Sequence, residues 1–474
     1  MALFKTPENN FTTTVNHCLQ TEYGNIITLS PAEMQQLFLY KSNSLSGNTT
    51  PENRQGQQEQ LNVDVKRALI RLYSLALLQN ATDSAYELFT LGQPKNIKLH
   101  RTAFDALALD LKKLSTDELT ALRVSCLLTT SIEAKDILKN NKFTPPEDSE
   151  EFLTWVAAIQ PNDNRPINSL PIAKTLTEKQ KDTLLQLYPA NAHFRWLLYT
   201  ECGLATPKAI FELSSDKDKF NLWLWRWRLN MMGFKDQPIT SMQYTQELHR
   251  LCETVLDTTK NKTNDAQTFL QNYTILRAKI ASDKIQTLSN TEQYFFGHIV
   301  ASFNEINVVA FDMGNEVLKG YLIYKTQRDT NSQVSENYQK FLINQNTLTP
   351  TYVPSVLNSS FALLNTNSTP STPANLLSTH EISPISAATI FMCQLQRDLF
   401  NYLLANPEAP RVSCRSLGCI KGGQLPTILT SWLQRQDLQC SFTFIPNGKE
   451  LEARVDMSQF GLPDDLSSQR TTKP

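Results

Sequence analysis

Glycine is scarce in this chain. It supplies 14 of 474 residues, well under its usual share of about 7%. Nucleotide-binding folds and glycine-framed active sites need flexible loops, so the scarcity favours helices. A surplus of either charge is also missing: Lys and Arg number 45 against 46 Asp and Glu. That argues against generic nucleic-acid binding and leaves room only for a local patch. No run of 18 or more apolar residues exists; the nearest, over 294–313, is interrupted by His298, Asn304, Glu305 and Asn307, so no membrane span is expected. The opening residues, MALFKTPENNF, carry no apolar signal core. The eight cysteines form no CxxC pair, which points to reduced thiols in a cytosol, to no structural metal and to no cofactor. Asn-x-Ser/Thr sites such as Asn80 and Asn272 are then chance matches in an Asn-rich chain.

A hydrophobic share of 41% supports globular folding, and the length exceeds one ordinary core, so two or three domains are expected. The pattern that recurs is helical. Ser30-Pro31-Ala32-Glu33 is a capping box with Pro at the first helical position, opening a short helix to about Tyr40. Residues 42–60 are polar and Gln-rich and read as a loop or a disordered segment. From Leu61 onward Val65, Leu69, Leu72, Leu75 and Leu78 recur at steps of three and four. Ser115 with Glu118 and Thr177 with Gln180 frame further capping boxes, and Thr206-Pro207 is read as a cap followed by Pro. Amphipathic segments follow over 97–113, 117–128, 148–158, 178–188, 190–201, 240–257, 265–280, 291–303 and 332–344, with helix favoured over strand for 306–324.

Residues 219–233, KFNLWLWRWRLNMMG, hold three of the six tryptophans, with Ser214, Ser215 and Asp216 as caps and Gly233 as a stop. At about 100° per residue, Phe220, Trp223, Leu224 and Trp227 share one face, and Leu222, Trp225 and Leu229 nearly the opposite one. A helix apolar on two sides belongs between two other layers. Residues 341–396 contain a single charged residue, Glu381, amid Ser, Thr, Asn and Pro; they read as a long surface crossover or a mobile linker. A helix then starts at Ser383-Pro384. Asn447-Gly448 is a favoured two-residue turn. With Pro446 opposite Lys449, Phe444 faces Leu451, Phe442 faces Ala453 and Cys440 faces Val455. The expected organisation is mostly α: an N-terminal segment (1–60), a helical body of stacked helix pairs (61–340), a crossover or linker (341–384), a small α+β module containing the hairpin (385–463) and a polar tail (464–474).

Chemistry-bearing residues are sparse. Cys414, Cys419, Cys440 and His380 pair too poorly for zinc and fit a core better. His17-Cys18, His193 with Cys202 and His249 with Cys252 offer nucleophile pairs, each more simply structural. Lys421, Gly422 and Gly423 form a possible anion-binding turn ahead of a helix, without P-loop spacing. Asp216-Lys217-Asp218 matches the metal-holding DxD string but opens a helix, where acidic residues cap. No GxSxG, HExxH or kinase set is present. Arg226 and Arg228, set among tryptophans, can stack on a nucleotide base or bind a phosphopeptide, or more simply bridge helix carboxylates with their stems packed on aromatics.

Residues 189–198, PANAHFRWLL, align with 219–229, KFNLWLWRWRL, at a 31-residue offset that sets Arg195-Trp196 on Arg226-Trp227 and Ala192 on Trp223. This pattern resembles the helical repeat of protein prenyltransferase alpha subunits, a relative of the tetratricopeptide repeats. The resemblance implies a helix-pair array and no prenyltransferase activity. In composition (Asn, Gln, Lys and Thr with a Ser/Thr-rich tail) the chain also resembles effectors injected by type IV secretion from intracellular bacteria. Together these readings lead to an interaction scaffold that binds a protein partner through a helical groove, with Arg195, Trp196, Arg226 and Arg228 as contacts. The alternative is a cysteine-dependent or anion-binding enzyme with its site in the C-terminal module. A winged helix over 385–457 is disfavoured by the near balance of basic and acidic residues there.

Overall fold

The computed structural model describes residues 7–39, 63–91, 98–128, 166–190, 205–232, 253–261, 265–302, 314–329, 333–344, 382–407, 441–447 and 450–455, with single residues at 93, 143, 192, 194, 197 and 263. The chain is mostly α. It divides into two compact units, Met1–Ala192 with Leu213–Gln246 and Lys473–Pro474, and His193–Glu212 with Glu247–Thr472.

The first unit holds α1 (Pro7–Thr21), α2 (Pro31–Phe38), α3 (Val63–Asn80), α4 (Asp83–Phe89), α5 (Arg101–Leu111), α6 (Thr116–Leu127) and α7 (Glu178–Leu185). Three capping boxes set helix starts: Ser30 with Glu33, Ser115 with Glu118, and Thr177 with Gln180. Each side-chain oxygen accepts from an otherwise orphaned N–H at the N3 position while the N3 side chain returns the bond. Helix α3 is central, with Val65, Ala68, Leu69, Leu72, Leu75 and Leu78 buried, and packs against α4, α5 and α6. Phe11, Val15 and Leu37 from α1 and α2 share this core. The first 60 residues are therefore not wholly a segment apart from the helical body: α1 and α2 bury their apolar sides against it. Arg123 of α6 ties α2 down, with Nε 2.6 Å from Glu33 Oε1 and Nη2 2.6 Å from the Thr28 carbonyl. Glu33 thereby serves both its own cap and the tertiary contact.

The second unit holds α8 (Ala205–Leu213), whose last residue falls to the first unit, then α10 (Ala266–Ala281), α11 (Asn290–Ser302), α12 (Gly314–Arg328), α13 (Gln333–Asn344), α14 (Pro384–Ala405), β1 (Phe442–Asn447) and β2 (Glu450–Val455). Helix α8 begins ahead of Thr206, which lies inside it rather than capping it. Every residue from 385 to 396 is buried, so α14 runs through the middle of this unit, against α12, α13 and α11. Its start is the expected one: Ser383 accepts from the Ser386 N–H, and Pro384 follows. The hairpin packs on the same helix. The rings of Phe391 and Phe442 meet edge-on at 5.2 Å, Tyr402 lies 5.6 Å from Phe444, and the Phe442 N–H donates to Asp398 Oδ2 at 3.0 Å.

The hairpin register differs from expectation. Asn447 pairs with Glu450, Phe444 with Ala453 and Phe442 with Val455, so the connection is 448–449, one place beyond Asn447-Gly448. The shift slides the partner strand by two, an even step that preserves the alternation of β1. Phe442 and Phe444 are buried, while Thr443 and Ile445 are exposed. The expected loop at 42–60, nearly all of the crossover at 341–384, the helices at 148–158 and 190–201, most of that at 240–257, and the tail lie outside the described residues.

Candidate functional site

Helix α9 (Lys217–Met232) follows Asp216, whose Oδ1 accepts from the Lys219 N–H at 3.1 Å and whose Oδ2 pairs with Lys219 Nζ at 3.1 Å. The acidic string at 216–218 is thus engaged at a helix start, and these hydrogen bonds hold the Asp216 carboxyl below the usual carboxylate range. Among the described residues no group of three or more His, Cys, Asp or Glu side chains is placed to hold a metal ion. From Leu222 to Leu229 every residue but Arg226 is buried. Both faces are occupied, as the two-sided pattern requires. Leu222, Trp225, Leu229 and Met232 join the core of α1–α7. On the other face the Trp223 ring lies tilted against Phe220 at 5.4 Å and its Nε1–H donates to the Ala192 carbonyl at 2.9 Å. The two similar tryptophan/arginine segments therefore touch at the pair of positions that their alignment superposes.

The arginines of α9 have different fates. Arg228 is buried, lies 4.9 Å from the Trp225 ring, and places Nη1 3.3 Å from Asp110 Oδ2. The same Asp110 oxygen accepts from Trp225 Nε1 at 2.9 Å, and Asp110 Oδ1 accepts from Lys113 Nζ at 3.3 Å. Asp110, at the end of α5, thus joins indole, guanidinium and ammonium. Arg228 performs the bridging role, with its guanidinium over an aromatic face. Arg226 is half-buried. Its guanidinium carbon lies 4.3 Å from the Tyr188 ring centroid and 4.4 Å from that of Trp227. No carboxylate among the described residues stands within ion-pair distance of it. Tyr188 is buried, which raises its phenol pKa, and the Arg226 and Arg71 charges oppose that rise. Arg195 and Trp196 lie outside the described residues, and so do Lys421, Gly422 and Gly423.

Asp110 and Tyr188 escaped sequence reading. Nothing near Asp110 in the chain marks it as the partner of a residue 118 positions on. The three described cysteines, Cys18, Cys126 and Cys393, are free and buried. Burial pushes the Cys18 and Cys126 thiols up to about 12, and Cys393 well above its ordinary value. A thiolate nucleophile needs the opposite shift. His17 is exposed beside buried Cys18, so the two point apart on α1. Compared with known protein families, curated proteins and solved structures, the chain matches none.

Proposed function

We propose that the chain is a protein-interaction scaffold that binds a partner protein through a helical surface of its first unit. The observation that supports this reading is Arg226: a half-buried cation packed on two rings, with no carboxylate partner among the described residues. A guanidinium fixed by stacking has already lost the rotamer freedom that binding would otherwise remove, and Arg backed by aromatic rings is a frequent anchor at interfaces. Two other arginines of this unit, Arg123 and Arg228, already meet carboxylates within the fold, at Glu33 and Asp110. The cysteine-enzyme alternative gains nothing from the three described thiols. In line with its resemblance to type IV effectors, the chain acts in a cytosol, its own cell's or that of a host; no helix among the described residues is long and apolar enough to cross a membrane.

The test uses the full-length protein with a photo-crosslinking residue at Asn230, a half-buried position one turn beyond Arg226 on α9. The scaffold reading expects one protein to be crosslinked saturably and displaced by unlabelled chain. Crosslinks that do not saturate, or that the unlabelled chain fails to displace, remove it.

A further inference from the structure

We propose that Arg226 receives a carboxylate of the partner, an Asp or Glu side chain in an acidic segment; this rests on the scaffold reading and names the chemistry of its contact. Helix α9 carries the filled version of such a site two residues away. Arg228 lies on the Trp225 ring and its charge is met by Asp110, supplied from α5. Arg226 lies on the Trp227 and Tyr188 rings, and its charge is met by no described carboxylate. Both are guanidinium groups backed by an indole on one helix. Among the described residues the difference between them is one carboxylate, which α5 provides for Arg228 and a partner would provide for Arg226.

Stacking also selects the shape of the ligand. The guanidinium carbon lies within 4.4 Å of both ring centroids and its donors reach the Tyr188 hydroxyl on one side, so a ligand would meet the remaining N–H groups of its planar edge. Two N–H groups in one plane match the two coplanar oxygens of a carboxylate. A phosphate dianion would gain from a second cation, but Arg71, the other charge that acts on Tyr188, is buried, and Arg228 is already drawn to Asp110. One half-buried cation with no carboxylate partner among the described residues suits one monoanion.

The test titrates the full-length protein with a short labelled oligoglutamate peptide at low ionic strength, read by fluorescence anisotropy, beside Arg226→Gln and Arg226→Lys. Circular dichroism and thermal unfolding check each variant's fold. Saturable binding is expected for the natural chain, weakened by roughly tenfold to a hundredfold in Arg226→Gln. Arg226→Lys should recover only part of the affinity, because it keeps the charge and loses the fork. Acetate should displace the peptide at least as well as inorganic phosphate does. Absence of saturable binding, equal binding by Arg226→Gln, full recovery by Arg226→Lys, or better displacement by phosphate each overturns the proposal. If Arg226→Gln fails to fold, Arg226→Lys and the competition decide. None of these outcomes touches the Asn230 crosslink, so the scaffold reading stands or falls separately.

Discussion

Along α9 the buried positions carry Trp223, Trp225 and Trp227; along α14 they carry Ser386, Ala387, Ala388, Thr389 and Cys393 beside larger residues. Both helices are enclosed by others, and they fill the space around them differently. Helix α9 reaches outward. Its indoles span wide gaps, and two of their N–H groups find oxygens on other segments, at Ala192 and Asp110. Helix α14 instead lets α12 come close. A Cβ on Gly320 would overlap the Ser386 carbonyl oxygen and crowd Thr389, so glycine is what permits that crossing. Gly297 allows the same approach of α11 to Thr274 on α10. Bulk tolerates no deletion and closeness tolerates no addition.

The largest expected effect follows from deletion in α9. Trp225→Ala should lower stability by about 3–5 kcal/mol, since it empties the volume of a fully buried indole and removes one of the donors on Asp110. Thermal or urea unfolding reads this directly. An unchanged midpoint would mean that the indole is not packed as described. The complementary change in the second unit is addition. Gly320→Ala should cost about 1–3 kcal/mol although alanine is the better helix former. A gain in stability would show that α12 and α14 can separate without loss, and the contrast between the helices would collapse.

A third effect depends on pH and belongs to the second unit alone. His298 of α11 is fully buried, beside Gln396 of α14, Phe295 and Phe400. Burial lowers its pKa to about 3, helped by the Arg277 charge. The folded chain therefore keeps it neutral. Above the ordinary histidine value of about 6.5 both folded and unfolded forms are neutral, and its contribution is fully present. As pH falls below that value only the unfolded chain gains the proton, so stability is lost, by about 2 kcal/mol at pH 5. Urea unfolding between pH 7.5 and 5 should show this slope, and His298→Leu should flatten it. An equal slope in the variant would assign the loss to other groups.

Local chemistry was readable and distant chemistry was not. The capping boxes at Ser30, Ser115 and Thr177, the start of α14 at Ser383 and the two-sided burial of α9 each depend on residues within a turn or two of one another. The hairpin was legible as alternation, yet its register slipped by two, because a period of two cannot distinguish Phe444 opposite Leu451 from Phe444 opposite Ala453. Gly320 read only as one of few glycines, since its reason for being small, the Ser386 carbonyl, is on another helix. The candidate site divided in the same way. Arg226 and Arg228 are equivalent in sequence, and what separates them is Asp110 on α5. Likewise, the membership of α1 and α2 in the first core is set by tertiary contacts that no local pattern encodes.

The smallest expected effect compares the two helix starts. Ser383 caps α14 by accepting from the Ser386 N–H at 3.1 Å, and its hydroxyl also donates to Glu316 Oε2 at 2.5 Å. Ser386 adds its own bonds to the Glu316 carbonyl and carboxylate. These hydroxyl donors hold the Glu316 carboxyl below its ordinary range, Ser383 most strongly. The cap of α14 is therefore also a tertiary joint to α12. Asp216 caps α9 through Lys219 of its own helix, so its bonds are local and wet. Ser383→Ala should cost about 1 kcal/mol or somewhat more, and Asp216→Ala less. Ser383→Asp restores an acceptor for the Ser386 N–H but sets a second carboxylate against Glu316, so it should not rescue α14. Rescue by Asp would show that the hydroxyl's bond to Glu316 contributes little. Equal losses at Ser383 and Asp216 would show that both helices start on local capping alone, and that α14 owes its place to the close crossing at Gly320.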